Sequence, residues 1–185
     1  MPGAVVEPDG SGRTAGVGDL EVSYKQAVLA DPRRNTVVSL RLALALPTAN
    51  RRHGVGSGTT VVTPQLLSGH AVGPFVLQTE IAAELPADPA RADRQMLYGV
   101  ALQYRLGPYR KNPVMGVELQ QTQAIDSAAR GGTVLGPTLY VPLSRRGHVA
   151  IAVGAQLPVA GTRPYDWLVG SFLLWDYADG PFWAW

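Results

Sequence analysis

VVSLRLALAL (residues 37–46) decides the fold class of this chain, because large apolar residues alternate in it with small or polar ones. One side of an extended chain would carry Val38, Leu40, Leu42, Leu44 and Leu46. The other side would carry Val37, Ser39, Arg41, Ala43 and Ala45. A helix would need a period near 3.6 rather than 2. The stretch therefore predicts a β-strand with one strongly apolar face.

Similar alternation elsewhere predicts nine strands. We place them at residues 19–29, 36–46, 59–68, 75–85, 95–106, 114–124, 133–143, 149–157 and 166–175. Each has about 9–12 residues, the length with which a tilted strand crosses a bilayer. A leucine-proline pair ends three of these strands just before a long loop, at Leu46-Pro47, Leu85-Pro86 and Leu157-Pro158. Proline suits a strand end because it cannot donate to the ladder.

The links between these strands alternate in length. The short ones are 30–35, 69–74, 107–112 and 144–148, and the longer ones are 47–58, 86–94, 125–132 and 158–166. Short turns on one rim and longer loops on the other are typical of a transmembrane β-barrel. We therefore predict an all-β fold, an antiparallel up-and-down transmembrane barrel with nine visible strands. An odd count leaves the two chain ends on opposite rims, so we expect an incomplete barrel. Its sheet would be open or poorly closed, or its first strand would close directly on the ninth in a parallel contact.

Composition limits the possible functions. The 185 residues carry a net charge of +2, too small to indicate nucleic-acid binding, and they include no cysteine. Charged residues make up only 16% of the chain, and no apolar run approaches the roughly 18 residues of a membrane helix. We predict a flexible N-terminal segment at 1–17 and a barrel domain at 18–185. Because residues 1–17 contain no signal peptide, we interpret the chain as a fragment or a mature form.

The polar face of the predicted strands carries the candidate site residues. We expect these side chains to line the barrel lumen: Arg41, Gln78, Glu80, Glu84, Gln103, Arg105, Glu118 and Gln120. Two interpretations of the charges stay open. They form either a structural lattice of ion pairs that plugs the lumen or a charge-selective path for a solute.

No other motif indicates chemistry, and we predict no enzyme activity, catalytic residue, cofactor or metal site. His53, His70 and His148 lie in predicted loops or turns without metal-ligand spacing. Ser39 and Ser171 lie on predicted strands without a histidine at their level and without a G-x-S-x-G elbow.

Aromatic residues stand near the predicted strand ends, at Phe75, Tyr104, Trp167 and Trp175, and the chain finishes on Trp185. Aromatic side chains favour the membrane interface, although core filling is an equally good account of any single ring. A terminal aromatic residue is typical of outer-membrane barrels, whose assembly machinery reads it. We therefore expect this machinery and outer-membrane lipid as partners.

Two stretches and the C-terminus resemble a known family. GVGDLEVSYKQAVL (16–29), SLRLALALPTAN (39–50) and LLWDYADGPFWAW (173–185) are similar to outer-membrane proteins described as the MetA-pathway of phenol degradation and labelled transporters. Gly16-Val17-Gly18-Asp19 and Leu46-Pro47-Thr48 match the family pattern, while Ala49 replaces its usual glycine. The resemblance implies an outer-membrane barrel connected with aromatic catabolism, and members have a signal peptide and further N-terminal strands.

We thus expect a bacterial outer-membrane barrel that passes or binds small solutes, aromatic or hydrophobic ones among them. The alternatives are a soluble β-barrel or sandwich that acts as a binding module, and a structural barrel of the envelope without transport. An envelope hydrolase is the weakest alternative.

Overall fold

The computed structural model describes residues 19–49, 57–107, 112–126, 131–144, 149–163 and 166–175. Within these ranges the chain forms nine strands and no helix. They are β1 (Leu20–Asp31), β2 (Thr36–Leu46), β3 (Val61–Val72), β4 (Phe75–Pro86), β5 (Gln95–Arg105), β6 (Val114–Ala124), β7 (Gly132–Pro142), β8 (Val149–Gly161) and β9 (Leu168–Trp175). No helix in this described part is long and apolar enough to cross a membrane.

The nine strands form one antiparallel sheet in which every strand pairs with its neighbours in sequence, in the order β1 to β9. The prediction of an all-β, up-and-down architecture with nine strands is confirmed. Among the described residues, β1 and β9 pair with one neighbour each and not with each other, so the sheet is open. The predicted segment 1–17 lies outside the described residues.

The register sorts the side chains onto two faces. Directly paired residues share a face, so Leu42, Pro64 and Tyr24 lie together, as do Leu77 and Leu102. We call the face with these large apolar residues the outer face. The opposite, inner face carries small residues that are buried: Ala43, Ala82, Ala101, Ala150 and Ala152.

Two strands, β3 and β8, extend four residues further than predicted. β3 continues to Val72, because Gly73 adopts a positive φ of 57° and allows a tight turn with Pro74. β8 continues through Pro158 to Gly161, so the prediction that Pro158 ends this strand is wrong. Pro158 is tolerated because the β7–β8 register shifts beside it and β9 pairs with β8 only up to Gln156.

The turn between β1 and β2 illustrates how a short link is stabilised. Asp31 Oδ1 accepts hydrogen bonds from the amides of Arg33 (3.0 Å) and Arg34 (3.2 Å). Asn35 then adopts φ 49°, a conformation that asparagine tolerates better than most residues. These local bonds return the chain into β2 within four turn residues.

Candidate functional site

The inner face collects the charge of the strands. Eight Asp, Glu, Lys and Arg residues occur in β1 to β9, and the register places seven of them on this face: Glu21, Lys25, Arg41, Glu80, Glu84, Arg105 and Glu118. The eighth, Asp31, is the last residue of β1. The outer face of β2 to β9 therefore carries no Asp, Glu, Lys or Arg in the described strands.

All eight sequence-predicted site residues lie on this inner face. Arg41 forms an ion pair with Glu21 on β1 and donates from Nη1 to Gln65 Oε1 on β3 at 2.9 Å. Gln78 donates to Gln103 across β4 and β5 at 3.3 Å. These contacts thus join three pairs of neighbouring strands, β1–β2, β2–β3 and β4–β5, through polar side chains.

Arg105 ends β5 near the rim of the short turns. Its Nη2 donates to the carbonyl of Gly73, in the turn between β3 and β4. Its Nε is buried and has no hydrogen-bond partner among the described residues. The guanidinium therefore links the β3–β4 turn to the inner face, but its Nε–H donates no hydrogen bond within the described residues.

Three carboxylates on the inner face stand apart from this pattern. Glu80, Glu84 and Glu118 are half-buried, and no ion pair joins any of them to a cation in the described ranges. The other described ion pairs lie at the rims, as in Arg91–Asp88 and Arg94–Asp126. A lattice that neutralises every charge would require partners for these carboxylates, so the described pairing is a partial lattice centred on Arg41.

Among the open cavities on the inner face, two share β6 as a wall. The first, about 230 Å³, lies over β1 to β6 and is lined by Lys25, Gln78 and Glu80. The second, about 280 Å³, lies over β5 to β9 and is lined mostly by apolar and glycine residues. Glu118 and Gln120 line both cavities. Whether this face lines a lumen stays a prediction.

A side-chain bond across β7 bounds the second cavity. Gln156 Nε2 on β8 donates to Gln120 Oε1 on β6 at 3.2 Å, reaching over the intervening strand β7. Gly136 on β7 packs close to β8, since a Cβ there would lie 1.6 Å from the Ala155 carbonyl oxygen. Two side chains from strands that are not neighbours meet most easily where a face is concave. The bond therefore indicates that the inner face curves around this cavity.

At the opposite rim, Asp19 anchors the long β2–β3 loop to the start of β1. Its carboxylate accepts hydrogen bonds from the amides of Ala49 (3.0 Å) and Ser57 (2.8 Å) and from the Ser57 hydroxyl (2.9 Å). Partial burial raises the pKa of Asp19, but these hydrogen bonds outweigh that effect and hold the pKa below its ordinary value of 3.8. This part of the loop is therefore held best when Asp19 is ionised.

Some of the aromatic residues that were predicted near strand ends can be located in the structure. Phe75 and Tyr104 form an edge-on pair with ring centroids 5.2 Å apart, next to the Gly73–Pro74 turn. Trp167 is exposed and immediately precedes β9. The Trp175 side chain and residues 176–185 lie outside the part of the chain that the structure describes.

No metal site is formed by the residues that the structure describes. His70 Nδ1 lies 2.8 Å from the Thr36 hydroxyl, in a bond between β2 and β3. His53 and His148 lie outside the described ranges.

Several inner-face residues were not among the predicted site residues, notably Glu21, Gln65 and Gln156. Glu21 and Gln156 lie two residues from other inner-face residues of their strands. The alternation along each strand could therefore have predicted their position on this face. Gln65 follows Pro64 in a strand whose alternation is blurred, and only the observed pairing with Arg41 reveals it.

No protein-family model matches the chain, and no curated protein matches it. The resemblance to the MetA-pathway family therefore stays a prediction.

Proposed function

We propose that this chain forms the wall of a bacterial outer-membrane β-barrel, which passes or binds small solutes along its inner face. In this proposal the protein is a transporter or channel rather than an enzyme. Its partners are outer-membrane lipid, a small-molecule solute and the barrel-assembly machinery.

The observation that carries the proposal is the inverted packing of the sheet. Leu42 and Leu102 on the outer face are 54% and 49% exposed, whereas Ala43 and Ala101 beside them are 2% and 7% exposed. Among the described residues, no large side chain is fully buried. In water, so broad an exposed apolar surface would be strongly unfavourable. In a bilayer it is the surface that lipid covers, and charges belong on the face away from lipid.

A soluble binding module is the second candidate. It would need another layer of protein over the outer face, since a half-covered sheet buries its apolar side. No second layer occurs in the described residues, whose nine strands all belong to one sheet. The absence of Asp, Glu, Lys and Arg from the outer face of β2 to β9 favours the membrane barrel over this candidate.

The test has two stages. First, the purified protein is reconstituted with lipid vesicles and examined for flotation with the vesicles and for heat-modifiable gel migration. A protein that stays soluble without detergent and does not float would contradict the membrane proposal. Second, single-channel recordings in planar bilayers separate a solute path from a structural barrel. Integration without conductance and without solute uptake would favour the structural alternative.

A further inference from the structure

The second cavity has the composition of a ligand site rather than of a packing defect. About 280 Å³ lies between Gln120, Gln156 and Leu168 on one side and Tyr140 and Phe172 on the other. Its walls are mainly apolar, with few polar groups, as in small-molecule sites, and its volume is near the lower end of their range of about 300–1,000 Å³.

Glycines keep this cavity open. Gly154 on β8 and Gly170 on β9 are direct partners in the sheet, and both line the cavity. A Cβ added at Gly170 would meet no atom within 4 Å, so the space above this strand is free. A flat apolar group can therefore approach the backbone of β8 and β9 closely.

One charge faces the cavity. Of its described lining residues, only Glu118 is ionisable to a carboxylate, and no Lys, Arg or His contributes to the lining. Glu118 is half-buried, and its carboxylate has no hydrogen bond or ion pair to another described residue. A half-buried carboxylate without a counter-charge is costly, so a cation that enters the cavity is stabilised and an anion is repelled. The Tyr140 and Phe172 rings favour a cation further, because aromatic faces attract positive charge.

We propose that this cavity binds a small organic cation, an ammonium group joined to an apolar body the size of one ring. The ammonium group pairs with Glu118, and the body lies over Gly154 and Gly170 against the two aromatic residues. The inference specifies the class of solute for the proposed function, and its biological role depends on that function.

The test measures binding to the full chain in non-ionic maltoside micelles by titration calorimetry. Detergents with choline headgroups are avoided because they carry the same cation. Benzyltrimethylammonium is the probe, and benzyl alcohol and benzenesulfonate are its neutral and anionic comparisons. We expect saturable binding of the cation, weaker binding of the alcohol and none of the sulfonate.

Three variants locate the site. Glu118→Gln should weaken binding of the cation by about tenfold or more and leave that of the alcohol unchanged, since only the charge is removed. Asp126→Asn, the control, removes a carboxylate at the rim that lines neither cavity and should leave both affinities unchanged. Gly170→Leu fills the open space and should abolish both. Folding of each variant is checked by its gel migration with and without heating.

Three results would overturn the site: no saturable binding of the cation, unchanged affinity in Glu118→Gln, or sulfonate binding as tight as that of the cation. These outcomes are independent of vesicle flotation. A protein that floats but binds no cation keeps the proposed function and loses this inference. A protein that binds the cation through Glu118 but does not float keeps the site and loses the membrane role.

Discussion

Replacement of Leu42 by arginine distinguishes lipid from water on the outer face. Leu42 lies four residues before the end of β2, which at about 3.3 Å per residue and a tilt near 40° puts it about 10 Å inside the apolar band. That band is about 25 Å tall, so Leu42 lies close to its middle. If lipid covers this face, Leu42→Arg should cost about 2–4 kcal/mol in the free energy of unfolding.

The same substitution in water would have a much smaller effect. Leu42 is 54% exposed, and changes at exposed positions away from special features are usually within about 0.5 kcal/mol. The change in the free energy of unfolding therefore shows whether lipid or water surrounds Leu42. Reversible urea unfolding from thin phosphatidylcholine vesicles, followed by tryptophan fluorescence, measures it.

Leu143 supplies the matched control. It is 58% exposed, follows the end of β7 and should lie at the interface, where arginine costs about 0–1 kcal/mol. Ala43 is a poor control, because at 2% exposure an arginine there would be overpacked for reasons unrelated to lipid. Equal costs at Leu42 and Leu143, or a cost below about 0.5 kcal/mol at Leu42, would refute the membrane assignment of this face.

Three further predictions use other parts of the sheet. Arg51-Arg52 and Arg145-Arg146 lie outside the described residues, in a predicted long loop and a predicted short link; protease added to intact cells should cut near the first pair and spare the second, and the reverse pattern would invert the topology. Ser68 and Thr79 share a 2.8 Å hydroxyl bond on the outer face, so Thr79→Val should destabilise by about 1–2 kcal/mol in lipid vesicles, and adding Ser68→Ala should restore most of this. A double variant as unstable as the single one would show that the bond is unimportant. Because the folded-state pKa of Asp19 is depressed, its stabilisation is present above about pH 4 and is lost as the pH falls below 3.8. Asp19→Asn should therefore speed hydrogen exchange of the two loop amides at neutral pH, and unchanged exchange would contradict the anchor.

The alternation of β2, β4, β5 and β6 was enough to predict their bounds and faces closely. In these strands most outer-face positions are large and apolar, with exceptions such as Thr79 and Ala83 in β4 and Gln121 and Gln123 at the end of β6. A shift of one residue would therefore move the apolar set to the wrong face. β3 was harder, because VVTPQLLSGHAV has apolar residues on both faces and a proline in the middle. Its true end at Val72 depends on the conformation of Gly73, which a hydrophobic pattern does not encode.

The contacts of the site were less predictable than its face. The alternation along β2 predicts that Arg41 lies on the inner face. Its pairing with Glu21 and Gln65, however, depends on the β1–β2 and β2–β3 registers. The β1–β2 register shifts between Ala27 and Leu29, and no local residue signal specified this shift. The Gln156–Gln120 bond depends on the curvature of the sheet across three strands. Curvature is a collective property of the sheet, so single-strand patterns could not reveal it.

Strand parity constrains how this sheet can close. In an antiparallel sheet of nine strands, β1 and β9 run in the same direction. If β1 paired directly with β9, the two strands would therefore be parallel. An additional segment that pairs antiparallel with both β1 and β9 must contain an odd number of strands. An open edge at membrane depth leaves backbone amides and carbonyls unpaired, each at a cost of several kcal/mol. If the outer face lies in lipid, both edges must therefore be paired in the membrane. The parity then favours a barrel with an even total, in which an odd number of strands comes from outside β1 to β9.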